Sequence, residues 1–350
     1  MKVLKRIITW AMLSIMMQLA GLTFLDQVVF THSSEFEEKE IKPTKKEDVT
    51  IKVPTSAKDI STSYNGKYLK YIDGDKLMLI TTKTSEIKEV QVEEGAEILF
   101  SKWMPRDNYI IIAEKIKISS KNSDVKIVAY NPRNDSITNI ISDSGELCRY
   151  QTGMKIDDIV SSTSGTKYIG VSREGFNSQI YRVDINDNLR TLPLKIPNIG
   201  TIKVFPHKDE LIYEDNLNKI FYSYTNSKNS KLNINNASSM SLLSLDENDN
   251  MYLGEIEGDK ISRITYGTLD TAMDSWSSVV LEKPKNPKDI YITTKGDIFV
   301  NDNLTGKITN AHNGETITYE GMFVEMTDRV IITSSDGTIF MKSITDIDSK

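Results

Sequence analysis

Beyond residue 48 the apolar residues come in short, β-branched, often alternating runs separated by clusters of Asn, Asp, Gly and Ser. This pattern predicts many short antiparallel strands, and no convincing amphipathic helix interrupts it. Comparing the chain with itself exposes a repeat. The segment Ser63–Val90 (SYNGKYLKYIDGDKLMLITTKTSEIKEV) reads as turn, strand, tight turn at Asp73-Gly74, strand, turn, strand. Ser162–Leu192 repeats that order with its turns in corresponding places. With weaker copies included, units start at Ala57, Ile98, Lys155, Ile199, Met240, Pro287 and Gly321, an average spacing of about 44 residues. A four-stranded propeller blade has that period. The expected fold is therefore all-β, a seven-bladed β-propeller over residues 49–350, with six or eight blades left open by the weaker copies. The last unit has room for about three strands, while Val49–Val53 (VTIKV) has no partner of its own. That piece is expected to complete the last blade and seal the ring, leaving no open sheet edge.

The amino-terminal pattern is different. Ile7–Leu25 is an uncharged apolar run, preceded by Lys2, Lys5 and Arg6 and closed by Asp26. As a helix it spans about 28 Å at ~1.5 Å per residue, close to the thickness of a bilayer's hydrocarbon core. The run is long for a signal peptide, and Ala20-Gly21, with Gln18 and Leu19 before it, fits a cleavage site poorly. We expect an uncleaved signal anchor at residues 7–25, with a cleaved peptide as the alternative. The basic residues make 1–6 a cytoplasmic tail and put the remainder outside the plasma membrane. Residues 26–48, charged in blocks and interrupted by Pro43, read as a solvated stalk.

The two clean units carry a resemblance. Tyr64-Asn65-Gly66-Lys67 and Ser164-Gly165-Thr166-Lys167 stand at the first turn, and Ile180-Tyr181-Arg182-Val183-Asp184 on a later strand. These resemble the blades of the TolB and dipeptidyl-peptidase IV amino-terminal propellers, within the WD40-like superfamily. The resemblance implies a blade type over about residues 57–345 and leaves function open. The peptidase's hydrolase domain and its G-x-S-x-G elbow are missing from this sequence, as are TolB's extra α/β domain and the G-H and W-D features of WD40 blades.

Charge and composition narrow the function. With 43 Lys+Arg against 49 Asp+Glu, the net charge of −6 gives nucleic acid no bulk attraction. The single cysteine, Cys148, excludes an intrachain disulfide and a multi-thiolate metal site. Gly66-Lys67 and Gly306-Lys307 are followed by Tyr68 and Ile308, so no phosphate-cradling loop is present. Asp184-x-Asn186-x-Asn188 and Asp246-x-Asn248-x-Asn250 begin like calcium loops, but Leu189 and Met251 replace the required glycine, and the first loop has Lys195 at the twelfth position. They read as hairpin turns. No cofactor, metal or catalytic residue is assigned.

Two stretches exceed a minimal blade: residues 142–155, with Arg149 and Tyr150, and residues 268–278, with Met273 and Trp276. Aromatic and Arg side chains on loops are what protein interfaces use, although such loops also tuck back over a blade. The sequence is read as a membrane-anchored, non-catalytic scaffold in the cell envelope that binds a protein or glycan through these four residues. The alternative is an extracytoplasmic propeller-type glycan hydrolase or lyase. An enzyme should show a polar channel mouth with convergent carboxylates, His or Tyr. A scaffold should show an apolar, aromatic-bearing face.

Overall fold

The computed structural model describes residues 2–24, 48–105, 107–120, 122–141, 147 and 149–344. Leu25, nearly all of the stalk, residues 142–146 and Cys148 lie outside the described residues. The chain forms two units, Met1–Lys45 and Lys46–Lys350.

In the first unit one helix covers Lys2–Phe24. Its segment Leu4–Phe24 has a mean hydropathy of 1.7 and is long and apolar enough to cross a bilayer. The hydroxyls of Thr9 and Thr23 donate back to the carbonyls of Lys5 and Leu19, each at 2.8 Å, so these polar atoms are satisfied within the helix.

The second unit is a ring of seven four-stranded antiparallel sheets. The innermost strands of blades one to seven are Lys58–Thr62, Glu97–Trp103, Met154–Ser161, Ile199–Val204, Met240–Leu245, Ile290–Ile292 and Met322–Met326. Each begins within three residues of the unit start read from the sequence. The seventh blade takes three strands from the end of the chain, and its outermost strand is Val49–Lys52, in register from Val49↔Met341 to Lys52↔Thr338. Val53 N–H adds a bond to the carbonyl of Gly337 at 2.8 Å. Residues 336 and 337 make the preceding hairpin turn with φ of 46° and 75°. Both values lie in the left-handed region that a type I′ turn requires and that Asp-Gly adopts readily.

The apolar core is divided into seven clusters, one in each seam between neighbouring blades. Leu69, Tyr71 and Ile80 of the first blade meet Ile332, Ile339 and Ile51 of the seventh, so the ring-closing strand contributes to a seam as buried as the others. Burying one such side chain is worth about 1.5–3 kcal/mol. At this same seam Gly66, at φ +68°, turns so close to Val330 that a Cβ would meet its methyl at 2.7 Å.

Six of the seven innermost strands carry a register irregularity against their second strand, between Lys58/Ser61, Ile98/Phe100, Ile156/Asp158, Ile199/Ile202, Leu242/Ser244 and Phe323/Glu325. A bulge adds one residue to one strand and reverses the in–out alternation beyond it. The residues that follow these irregularities include those that line the channel.

Candidate binding site at the channel mouth

Within each blade successive strands alternate in direction. The far ends of the seven inner strands, and the turns after them, therefore gather at one end of the ring. There they enclose a cavity of 670 Å³ to which all seven blades contribute. Trp103, Met104, Pro105, Pro206, Leu245 and Met326 supply much of its apolar wall. At the rim, Tyr109 is 39% exposed. Arg329 sits over the ring of Tyr64 at 4.8 Å and donates to its hydroxyl at 3.2 Å, bridging blades seven and one.

Titratable groups are set into this wall. Glu325 accepts the Thr62 amide at 2.9 Å across the closing seam. Burial pushes its carboxyl up to about 7, against the pull of the Thr62 amide and the Lys70 ammonium. Asp328 accepts the Tyr291 hydroxyl at 2.9 Å, the Thr294 amide at 3.1 Å and the Thr294 hydroxyl at 2.5 Å. Burial, and then the Asp328 charge, push the Tyr291 phenol well above its ordinary value. Lys102 donates to Asp158 at 2.6 Å, joining blades two and three. The side chain of Lys203, half-buried on the fourth blade, makes no hydrogen bond or ion pair among the described residues. Desolvation, and then the Lys102 charge, lower its proton affinity, and Asp158 opposes them.

Behind the wall, Lys70 is 1% exposed and donates to Asp59 Oδ2 at 2.6 Å and Ser101 Oγ at 3.0 Å, linking blades one and two. Such a buried ammonium is tolerated only when its donors are used.

The four loop residues are not gathered at the mouth. Arg149 and Tyr150 lie on the connection entering the third blade's inner strand, hence at the opposite end of the ring. Tyr150 packs against the cluster between blades two and three, with the Lys115 ammonium 4.4 Å above its ring. Exposed Arg149 lines a 300 Å³ hollow with Arg173, Phe176 and Tyr181. Met273 and Trp276 follow the third strand of blade five and fold back against the cluster between blades four and five. There Asn235 donates to Met273 Sδ at 3.2 Å and to Asp274 at 2.9 Å.

The calcium-like loops are turns tied by their own carboxylates. Asp184 Oδ1 accepts the amides of Asn186 and Asn188 at 2.8 and 3.1 Å. Asp246 does the same for Asn248 and Asn250 and also accepts the buried Tyr252 hydroxyl at 2.9 Å.

Lys102, Asp158, Lys203 and Glu325 were not singled out from the sequence. Their signal was a charged residue inside an inner-strand apolar run, as in FSKW, IKVF and FVEM.

The sequence matches no protein-family model and no curated protein. Among solved structures the fold is similar to a chain of a mitotic checkpoint complex, with TM-score 0.53 and 10% identity over 86% of this chain and 94% of that one. It is similar to YCF48 bound to a D1 peptide, with TM-score 0.52 and 10% identity over 87% of this chain and 96% of that one. It also resembles a prolyl endopeptidase, with TM-score 0.52 and 13% identity over 83% of this chain but only 46% of that longer one. At such identities the likeness is one of fold. The chain is a seven-bladed β-propeller with one amino-terminal helix long and apolar enough to span a membrane.

Proposed function

We propose that this chain is a membrane-anchored, non-catalytic binding module that docks a segment of a partner protein at the mouth of its central channel. The observation that carries the reading is the mouth itself. Its wall is mainly apolar and aromatic, and its carboxylates Glu325 and Asp328 already accept hydrogen bonds from Thr62, Tyr291 and Thr294. A hydrolase or lyase using these groups as acid and base would have to release contacts that hold the wall together. Docked peptide segments suit apolar hollows of this size, with a few polar groups to fix orientation.

In this proposal residues 7–25 are the anchor, and Lys2, Lys5 and Arg6 keep the amino terminus cytoplasmic. The propeller then faces outward within the cell envelope. The TolB- and dipeptidyl-peptidase-like blade type belongs to the proposal as an analogy drawn from the two clean repeats. Two of the similar solved structures, the checkpoint complex and the peptide-bound YCF48, are assemblies by their descriptions. They lend the scaffold reading support by fold alone.

The test is crosslinking in intact cells, mild-detergent purification of the full chain and mass spectrometry of what accompanies it. A reproducible partner, lost when Tyr64 and Tyr109 are changed to Ala in a chain that still folds, supports docking at the mouth. Parallel Tyr150→Ala and Trp276→Ala variants assign or remove the two outer loops. Recovery of the protein alone counts against protein docking and turns the search to glycans.

A further inference from the structure

The fourth blade's inner strand, Ile199–Val204, presents Lys203 to the channel cavity. On the adjoining wall Lys102 Nζ is 2.6 Å from Asp158 Oδ1 and 3.4 Å from the Ile159 carbonyl, while Asp158 Oδ1 also accepts the Ile159 amide at 2.8 Å. Lys102 and Asp158 are the charges acting on Lys203. Lys167, which lines the same cavity, donates to the Gly165 carbonyl at 3.1 Å, so the ammonium of this wall without a hydrogen-bond or ion-pair partner among the described residues is that of Lys203.

Other acids on the elements packed around it do not fill that role. Asp157, on the third blade's inner strand, accepts Ser172 Oγ at 2.9 Å and lies 3.5 Å from Lys155. Glu214, on the fourth blade's second strand, is buried and held by the backbone amides of Leu242 and Thr201, and burial raises its proton affinity. Across the cavity Glu325 and Asp328 are bonded to Thr62 and to Tyr291 and Thr294.

We propose that Lys203, with Lys102 beside it, is the anchor for one carboxylate group of the docked segment, an acidic side chain or a free carboxyl terminus. The inference rests on the docking reading above. A docked polypeptide carries its negative charge as carboxylates, which makes a carboxylate the expected anion. A cation half-removed from water gains most when an anion arrives to complete it. Burial lowers the proton affinity of Lys203, and a bound carboxylate opposes that, so binding weakens at a pH high enough to deprotonate Lys203.

The test uses the full chain in detergent, labelled with 13Cε-lysine. The Lys203 resonance is identified by its loss in Lys203→Met, or in Lys203→Arg if the first variant does not fold. Titration with propionate is expected to shift that resonance and raise the pH at which it titrates, while exposed Lys155 stays fixed. With a partner in hand from the crosslinking experiment, Lys203→Met is expected to weaken capture about ten- to hundredfold. A Lys203 resonance indifferent to propionate overturns the proposal, and inorganic phosphate acting more strongly than propionate overturns the carboxylate assignment. Partner capture unchanged in Lys203→Met also overturns the proposal while leaving docking intact. Propionate binding at Lys203 with no partner recovered sustains the anion site and sinks the docking reading.

Discussion

The ammonium of Lys102 lies 2.6 Å from the carboxylate of Asp158, so a single ion pair ties the inner strands of the second and third blades at the channel wall. The two side chains are 37% and 27% exposed, which screens the pair without dissolving it. Removing only the acid leaves Lys102 without its counter-charge, next to a second ammonium at Lys203. Asp158→Asn is expected to destabilise the propeller by about 1–3 kcal/mol. Adding Lys102→Met should return much of that loss, because both halves of the pair are then gone. Thermal unfolding of both single variants and the double variant reads the difference, and single losses that sum to the double loss would mean that the pair carries no coupling.

Glu325 gives the ring a pH dependence of defined sign. Its native carboxyl titrates at about 7, above the ordinary value of 4.5, so the folded state binds the proton more tightly than the unfolded chain. The corresponding stability is complete below the unfolded value and is lost as pH rises through about 7. Glu325→Gln cannot ionise. Its melting temperature should match the wild type near pH 5 and exceed it by the equivalent of roughly 1–3 kcal/mol near pH 8. A gap that does not change with pH would show that Glu325 is not the titrating group.

Closure of the ring depends on Ile51. Its side chain is 3% exposed, and it pairs with Ile339 inside the seam between blades seven and one. Ile51→Ala is expected to lower stability by about 2–4 kcal/mol, as for other buried large-to-small changes. The sensitive readout is limited proteolysis: early cuts should fall in the seventh blade, between residues 322 and 343. Uniform cleavage around the ring would mean that closure is not the weak point.

Asp246 ties a turn to the buried hydroxyl of Tyr252. Asp246→Ala should cost about 1–3 kcal/mol, because it strands that hydroxyl and the amides of Asn248 and Asn250. Calcium or a chelator is expected to leave the melting temperature of the wild type unchanged. A calcium-dependent rise that vanishes in Asp246→Ala would make the loop a metal site after all.

The blades were legible in the sequence because a local signal marks each one. A β-branched run between turn residues reports a strand whatever it packs against, and Ile199 and Met240 were placed as strand starts to the residue. The mouth was not legible, and the inner-strand irregularities explain why. Reading Lys102, Asp158, Lys203 or Glu325 by strict alternation assigns the wrong face once a bulge intervenes, as between Phe323 and Glu325 or Ile199 and Ile202. The ring of Trp276, on one of the longer loops, covers Gly267, where an added Cβ would meet indole atoms at 2.5 Å, so part of that side chain packs on its own blade. Loop composition alone cannot distinguish a side chain offered to a partner from one folded back on its own blade.

The strand Val49–Lys52 finds its partner in Thr338–Met341, almost the whole propeller later in the chain. During synthesis at ~5–20 residues per second it waits roughly 15–60 s with its backbone unpaired while the blades form behind it. An exposed strand with three consecutive β-branched residues, Val49, Thr50 and Ile51, is a template for mispairing over that interval. The segment that closes the ring is thus also the one exposed to mispairing for longest before its partner is made.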